Sequence, residues 1–91
     1  MGRKQKIFVG EEASRMLDIS YNLRYMLRDK GLSVNKFAKM IGVTNYEIHS
    51  YIHVRKMPSD EMLQRIANVL ECTVDELTQE YDASMPNSDK D

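Results

Sequence analysis

Apolar residues in the first third of the chain recur at the spacing of an α-helix. Five of them would share one helical face, which is typical of a helix packed on a core: Met16, Ile19, Leu23, Met26 and Leu27. The pattern predicts a long first helix over residues 11–30. Gly31 would end it, because glycine readily adopts the left-handed backbone found after helices.

The next three segments each follow a residue suited to cap a helix N-terminus. Ser33 precedes a predicted second helix over residues 34–41, and Thr44 precedes a third over residues 45–53. Ser59 precedes a fourth helix. The inward face of this fourth helix consists of Leu63, Ile66, Ala67 and Leu70.

Two Thr-x-x-Glu patterns predict capping boxes, in which the Thr side chain and the Glu side chain each bond to the other residue's backbone N–H. One joins Thr44 to Glu47, and the other joins Thr73 to Glu76. The second would open a short fifth helix that runs through Leu77. The sequence therefore predicts an all-α domain of five helices.

The turn between the second and third helices has the residue spacing of a helix-turn-helix. Ala38 is small enough to let a second helix approach closely. Gly42, four residues later, can end a helix in one step, and Val43 would turn inward. Ile48 would pack the next helix back on the first. In DNA-binding proteins this arrangement places the second of the two helices in the major groove.

The composition is that of a globular chain with one modest core. Hydrophobic residues make up 42% and charged residues 30% of the 91 residues. No apolar run approaches the roughly 18 residues of a membrane span, and the apolar stretch near the N-terminus is too short for a signal peptide. The single Cys72 excludes an internal disulfide. These features predict a cytoplasmic protein with no membrane contact.

Charge is distributed unevenly along the chain. The formal net charge is −1, which by itself argues against a nucleic-acid partner. Residues 1–70 nevertheless hold 12 Lys and Arg against 7 Asp and Glu, whereas residues 71–91 hold one Lys against 7 acidic residues. A local positive excess can form a face that attracts phosphates whatever the total charge. We therefore expect the basic segment to bind double-stranded DNA.

The two ends of the chain lack a helical pattern. Residues 1–10 read as a basic arm, in which residues 7–9 form either a short strand or a docking segment. Residues 82–91 are polar and acidic without periodicity, which predicts a disordered tail. The predicted organisation is therefore an arm, a helical domain over residues 11–81 and a tail.

From Asn22 to Leu77 the chain resembles the lambda-repressor-like, Cro/cI-type (XRE-type) helix-turn-helix regulators of bacteria and phages. The landmarks stand in family order without a gap: Asn22-Leu23-Arg24, Lys30-Gly31-Leu32-Ser33, Phe37-Ala38, Ile41-Gly42-Val43-Thr44, Ile48, Pro58, Leu63-x-x-Ile66-Ala67-x-x-Leu70 and Val74-Asp75-Glu76-Leu77. The resemblance implies a compact five-helix domain whose third helix enters the major groove. It further implies a transcriptional regulator, and we expect a repressor that acts as a homodimer on a palindromic operator.

Exposed positions on the third helix are the candidates for reading bases, because its N-terminal half points into the groove. Asn45 could form two hydrogen bonds with adenine, and Tyr46 could contact a sugar or a thymine methyl. Glu47 is a weaker candidate, since the capping box already explains it. Each could instead be an ordinary solvated residue. The base-reading candidates are Asn45, Tyr46, Glu47, His49 and Ser50.

Phosphate contacts are expected from helix N-termini and from basic residues near the third helix. The candidates are Ser33, Asn35, Thr44, His53, Arg55 and Lys56. The arm residues Arg3, Lys4 and Lys6 could reach the backbone or a neighbouring minor groove. Ordinary surface charge is the alternative interpretation of Arg55 and Lys56, and a flexible terminus without DNA contacts is the alternative for the arm.

The sequence departs from the family pattern at several positions. Val34 stands where a polar residue often opens the second helix, which removes one common phosphate contact. Ile52 and Val54 stand where the family often has Glu and Gly. Glu71-Cys72 replaces a common Gly-Val, which predicts a small buried thiol. Tyr46 is bulkier than usual, so the operator does not follow from the resemblance.

Other functions have weaker support in the sequence. An enzyme would need a phosphate-binding glycine loop or a nucleophile with a base, and the sequence has neither. His49 and His53 are four residues apart on one helix but lack the further ligands of a zinc site. We therefore expect no enzymatic activity, no cofactor, no metal and no small-molecule ligand.

Protein contacts are a second class of function. An antitoxin or anti-repressor would bind mainly another protein, and the 7 Met residues, residues 7–9 and the acidic tail would suit such a partner. Core or dimer packing is the simpler explanation of Met16, Met26 and Met40. A homodimer is expected to form around Leu77 and Tyr81, with residues 7–9 as a second candidate.

Overall fold

The computed structural model describes residues 10–81 and contains five α-helices. They are α1 (Gly10–Lys30), α2 (Val34–Ile41), α3 (Asn45–Ile52), α4 (Asp60–Leu70) and α5 (Val74–Thr78). No strand occurs within this described range. The all-α, five-helix fold is confirmed, and the helix bounds agree with the sequence predictions to within one residue. The predicted arm, with its residues 7–9, and the predicted tail lie outside the described residues.

The long helix α1 is the element on which α3 and α5 pack, while α2 packs on α3 and α4. Its predicted apolar face turns inward: Ile19, Leu23 and Leu27 are buried, and Met26 packs against them as a partly buried side chain. One apolar cluster joins the five helices. The remaining buried members of this core are Phe37, Ala38, Ile41, Ile48, Tyr51, Leu63, Ile66, Leu70 and Leu77.

Two buried polar side chains on α1 tie the ends of other helices to it. Asn22 donates from Nδ2 to the carbonyls of Leu77 (2.9 Å) and Gln79 (2.8 Å). Ser20 donates from its hydroxyl to the carbonyl of Ile52. Helix C-termini leave carbonyls without intrahelical partners, so these bonds satisfy groups that burial would otherwise leave unpaired. The C-terminal ends of α3 and α5 are thereby fixed on α1.

The predicted caps are present, with one correction. Thr73 and Glu76 form the full capping box. The Thr73 nitrogen lies 2.9 Å from Oε1 of Glu76, and the Glu76 nitrogen lies 3.0 Å from Oγ1 of Thr73. Thr44 also caps its helix, accepting from the backbone N–H of Glu47 at 3.1 Å. The prediction that the Glu47 side chain returns this bond was wrong, because its carboxylate binds side chains further along the chain.

The side chain of Leu77 is fully buried and belongs to the core. The homodimer expected around Leu77 and Tyr81 stays a prediction, and its surface would come from the exposed residues that flank Leu77 rather than from this buried side chain. The position of Leu77 follows from the period of α5, which turns its only buried residue towards α1. Tyr81, named with it, is half-buried at the surface.

Within residues 10–81, two non-glycine residues adopt positive φ, and both stand where the resembling family often has glycine. Val54 follows α3 and Glu71 follows α4, each with φ of 60°. The Glu71 N–H donates to the carbonyls of Ala67 and Asn68, which closes α4. A Cβ atom in this conformation costs roughly 1–2 kcal/mol, so the chain carries strain at both turns.

Cys72 is half-buried rather than fully buried, and its Sγ lies 3.7 Å from Sδ of Met26. Burial raises the pKa of the Cys72 thiol, and the nearby Glu76 carboxylate raises it further. The thiol therefore stays protonated, as expected for a residue that fills space beside the core.

We predict that Glu71→Gly raises the free energy of unfolding by about 0.5–1 kcal/mol. Glycine removes the cost of positive φ at residue 71, and the greater entropy of glycine in the unfolded chain offsets part of this gain. Urea denaturation followed by circular dichroism would measure the change. Glu71→Ala is the matched control, because it also removes the exposed ion pair with Lys30 (3.6 Å) but keeps a Cβ. Equal stability of the two variants would contradict the prediction.

Candidate nucleic-acid interface

The turn between α2 and α3 has the predicted left-handed residue. Gly42 adopts φ of 91°, and the N–H groups of Gly42 and Val43 both donate to the carbonyl of Ala38, at 2.8 and 3.0 Å. Val43 packs against the core as a partly buried side chain. The bonds complete the end of α2 and turn the chain directly into the Thr44 cap of α3. The predicted helix-turn-helix at α2 and α3 is therefore confirmed.

Arg65 of α4 binds the backbone at this turn through its guanidinium group. Its Nη2 donates to the carbonyl of Ile41 at 2.5 Å, and the same nitrogen lies 3.6 Å from the position of a Cβ built on Gly42. A cation is also favourable at the negative end of α2. Sequence analysis missed Arg65, because it lies on the polar side of α4 and only the packing of α4 on α2 brings it to the turn.

The outer face of α3 carries the first base-reading candidates. Asn45, Tyr46 and His49 are exposed, and Tyr46 is the most exposed large hydrophobic residue in the described range, at 75%. Ile48 and Tyr51 lie on the opposite side and are buried in the core. The helix therefore presents a polar and aromatic surface that is fixed by the core behind it.

Ser50 is buried, at 7% exposure, and the prediction that it lies on the exposed face was wrong. Its hydroxyl donates to the carbonyl of Tyr46 at 2.8 Å. The segment after α3 folds back, and the N–H of Arg55 donates to the Ser50 carbonyl at 2.8 Å. Because periodicity does not report the path of the segment after α3, it did not reveal this burial.

Glu47 is held by two neighbours on the edge of this face. Its carboxylate accepts from the Tyr51 hydroxyl and from the Lys56 ammonium, whose Nζ lies 3.2 Å from both carboxylate oxygens. The Tyr51 hydrogen bond, with help from Lys56, lowers the pKa of Glu47. Burial and the Glu47 carboxylate raise the pKa of Tyr51 above its usual range. Glu47 is therefore an ionised carboxylate whose oxygens are already occupied.

Basic side chains surround α3. His49 and His53 stack, with ring centroids 5.6 Å apart and planes at 16°. His53, Arg55 and Lys56 are exposed just after the helix, where the sequence places them as phosphate candidates. Sequence analysis missed Lys36 and Lys39, which are exposed on α2. Their spacing of three residues on the polar side of α2 was the available signal.

The N-termini of α2 and α3 both offer backbone donors. Ser33 and Thr44 are exposed caps, and each side-chain oxygen accepts one N–H from the third helical residue, at 3.1 Å. The amides of the first two residues of each helix have no partner within the helix. Asn35 is exposed in the first turn of α2. Both ends suit a phosphate oxygen, and the apolar side chain of Val34 leaves its own backbone N–H unchanged.

Arg3, Lys4 and Lys6, the candidate arm contacts, lie outside the described residues. Among residues 10–81, no group of three His, Cys, Asp or Glu side chains is arranged to hold a metal ion. None of the helices described is both long and apolar enough to cross a membrane.

We predict that Arg65→Met lowers the free energy of unfolding by about 1–2 kcal/mol, because the Ile41 carbonyl loses a charged donor. Methionine keeps most of the apolar length of the side chain. Urea denaturation would measure the loss. Gln64→Met is the control, because Gln64 is exposed and bonds only to Asn68, one turn away on the same helix. An equal loss in both variants would show that Arg65 has no particular role at the turn.

The family model of HTH_3, described as a helix-turn-helix, matches residues 23–77, which include all of α2, α3 and α4. No curated protein matches the chain. Among solved structures, an HTH_3 family transcriptional regulator from Vibrio cholerae superposes with a TM-score of 0.69 at 21% identity, covering 74% of this chain and 38% of that one. This chain thus spans well under half of the V. cholerae regulator.

Two further structures have the same fold. The hypothetical transcription factor NHTF from Neisseria superposes with a TM-score of 0.71 at 17% identity, covering 85% of this chain and 88% of that one. The clp gene regulator ClgR from Corynebacterium glutamicum superposes with a TM-score of 0.67 at 22% identity, covering 74% and 71%. At these identities the likeness concerns the fold, which is that of an all-α DNA-binding domain.

Proposed function

This chain belongs to the HTH_3 helix-turn-helix family, and we propose that it is a sequence-specific, double-stranded-DNA-binding transcriptional repressor that acts as a homodimer on a palindromic operator. The observation that carries the proposal is the exposed face of α3, with Asn45 and Tyr46 at its N-terminal end. The core fixes this face from behind, and the turn at Gly42 fixes its direction.

Base reading is assigned to Asn45, Tyr46 and His49. The Asn45 amide can both donate to and accept from adenine in the major groove, a pairing worth about 1–3 kcal/mol of discrimination. Tyr46 is exposed enough to reach a thymine methyl or a sugar. Ser50 is buried and has no part in this proposal, and Glu47 contributes only if it leaves Tyr51 and Lys56.

Phosphate binding is assigned to the rim of α3. The capped N-termini at Ser33 and Thr44 supply backbone amides, and Asn35 stands beside the first of them. Positive charge comes from the exposed side chains around the helix: Lys36, Lys39, His53, Arg55 and Lys56. Arg55 forms no salt bridge within residues 10–81, so its charge is available to a phosphate.

Repression would follow from occupancy of the operator. Two copies would place their α3 helices about 34 Å apart, one turn of DNA, so that each reads one half-site. Selection of bound sequences from random duplex DNA at physiological salt tests this directly. A palindrome with half-sites about 10 base pairs apart is expected. Enrichment of no sequence would overturn the proposal.

Substitutions on the α3 face separate base reading from phosphate binding. Asn45→Ala and Tyr46→Ala are expected to relax sequence preference. Arg55→Ala should weaken binding to every DNA sequence by a similar factor. It should also lower the salt slope, which is the steepness with which the logarithm of the binding constant falls with the logarithm of salt concentration, by about one. Titrations of the selected and a scrambled duplex at several salt concentrations would measure both effects. Arg15→Ala on α1 is the matched control. Wild-type behaviour of all three α3 variants would place the DNA-binding face elsewhere.

The ion pair between Glu47 and Lys56 is expected to restrain DNA binding. Glu47→Gln keeps an oxygen that can accept from Tyr51, removes a negative charge near the phosphates and releases the Lys56 ammonium. We expect several-fold tighter binding at low salt and a salt slope steeper by about one. Glu12→Gln, which neutralises an exposed carboxylate on α1, is the control. Unchanged affinity and slope in the Glu47 variant would contradict the expectation.

A role in binding a protein partner, as in antitoxins or anti-repressors, is the second candidate function. The observation that favours it is an exposed group of aromatic and basic side chains on α1. The two functions use different surfaces and are compatible.

A further inference from the structure

The outer side of α1 exposes large side chains that the proposed DNA contacts do not use. Leu17, Tyr21 and Tyr25 follow one another at intervals of four residues and are 43%, 41% and 53% exposed. This spacing places them on one stripe of the helix, opposite the side that carries Ile19 and Leu23 into the core. Single exposed apolar residues are common on surfaces, but a stripe of three indicates an interaction site.

The chain after α5 returns to this stripe and completes a cleft. The N–H of Tyr81 donates to Oδ1 of Asp18 at 3.1 Å, and the Tyr81 ring packs against the Tyr21 ring with centroids 4.9 Å apart and planes tilted by 31°. Arg24 lies over the Tyr21 ring, 5.9 Å from its centroid. We call the following residues the tyrosine face, because they line one cleft of about 280 Å³: Tyr21, Arg24, Tyr25, Arg28 and Tyr81.

The tyrosine face has the composition of an interaction hot spot. Tyr and Arg are enriched among the residues that contribute most to protein–protein binding. A Tyr side chain buries a large area at low cost in conformational entropy. Here the contact between the Tyr81 and Tyr21 rings and the cation–π contact of Arg24 hold three of the five side chains in place before any partner binds. The preformed arrangement reduces the entropy lost on docking.

Charge identifies the kind of partner that fits. Arg24 and Arg28 lie one helical turn apart beside the cleft, and neither forms a salt bridge in the described part of the chain. The carboxylate of Asp18 accepts from the Tyr81 backbone N–H, and exposed Asp29 and Glu80 lie next to Arg28 and Tyr81 in the sequence. The five residues that line the cleft are themselves aromatic or positive, and none of them is acidic. The complement of this face is a segment with carboxylates on either side of an apolar side chain.

We propose that the tyrosine face docks an acidic segment of a partner protein, with carboxylates on Arg24 and Arg28 and an apolar side chain in the cleft. A second copy of this chain fits less well, because a two-fold interface centred on the cleft would bring the same two arginines together. The proposal specifies the partner surface of the second candidate function. It does not depend on the DNA-binding role of α3.

The test is selection of short random peptides displayed on phage against the full chain, with Arg24→Glu/Arg28→Glu as the counter-target. Peptides with two or more acidic residues around an apolar one are expected. By fluorescence anisotropy, a synthetic copy of the selected peptide should lose about tenfold or more in affinity for the charge-reversed variant. The same peptide with Lys in place of its acidic residues should regain binding to that variant.

Two controls separate this proposal from structural and DNA effects. Arg15→Glu reverses one charge elsewhere on α1, which is half the charge change of the double variant, and should leave peptide binding unchanged. Tyr25→Ala removes an exposed side chain with no stacking partner in the described residues and should weaken peptide binding while the far-ultraviolet circular dichroism stays unchanged. The duplex chosen in the DNA selection should bind the wild type and Arg24→Glu/Arg28→Glu with the same salt slope.

Several results would overturn the proposal. The first is a selection that enriches no peptide whose binding depends on the two arginines. The second is failure of the Lys-substituted peptide to bind the charge-reversed variant. The third is self-association of the chain that Tyr25→Ala abolishes. Loss of sequence-specific DNA binding in Tyr25→Ala would instead assign the face to nucleic acid. Failure of the DNA selection alone would leave peptide binding intact, so the two proposals fail separately.

Discussion

The interaction on which the rest of the site depends is the closure of α2 at Gly42. One carbonyl, that of Ala38, accepts the N–H groups of both Gly42 and Val43, while Arg65 binds the carbonyl of Ile41. A left-handed residue is needed at this point, and glycine adopts it without the penalty of a Cβ. The closure fixes the direction in which α3 leaves α2. That direction decides which side chains of α3 face the core and which face outward.

The second physical feature of the α3 face is the ion pair between Glu47 and Lys56, which reduces its positive charge. A carboxylate beside DNA phosphates is unfavourable, yet Glu47 stays ionised because Tyr51 donates to it and Lys56 neutralises it. The pair makes the surface less positive than its count of basic residues indicates. Since an ion pair exposed to solvent is weak, DNA could draw Lys56 away at little cost. The basic surface would then strengthen as binding proceeds.

Features set by local sequence were predictable, and those set by tertiary contacts were not. The helix bounds, the caps at Ser33 and Thr44 and the turn at Gly42 follow from residues within one helical turn. The burial of Ser50, the partners of Glu47 and the position of Arg65 depend on the segment after α3 and on α4, which periodicity does not report. The contacts of Tyr81 with α1 join residues 63 positions apart and were equally hidden.

The central claim is that the turn at Gly42 presents α3 and the N-terminus of α2 to DNA. The most direct test is a titration of the full chain, labelled for amide resonances, with the duplex obtained by selection. We expect the largest changes in amide chemical shift at the N-termini of α2 and α3 and over residues 53–56, with no change at the tyrosine face. Shifts concentrated on α1, or none on α3, would contradict the account.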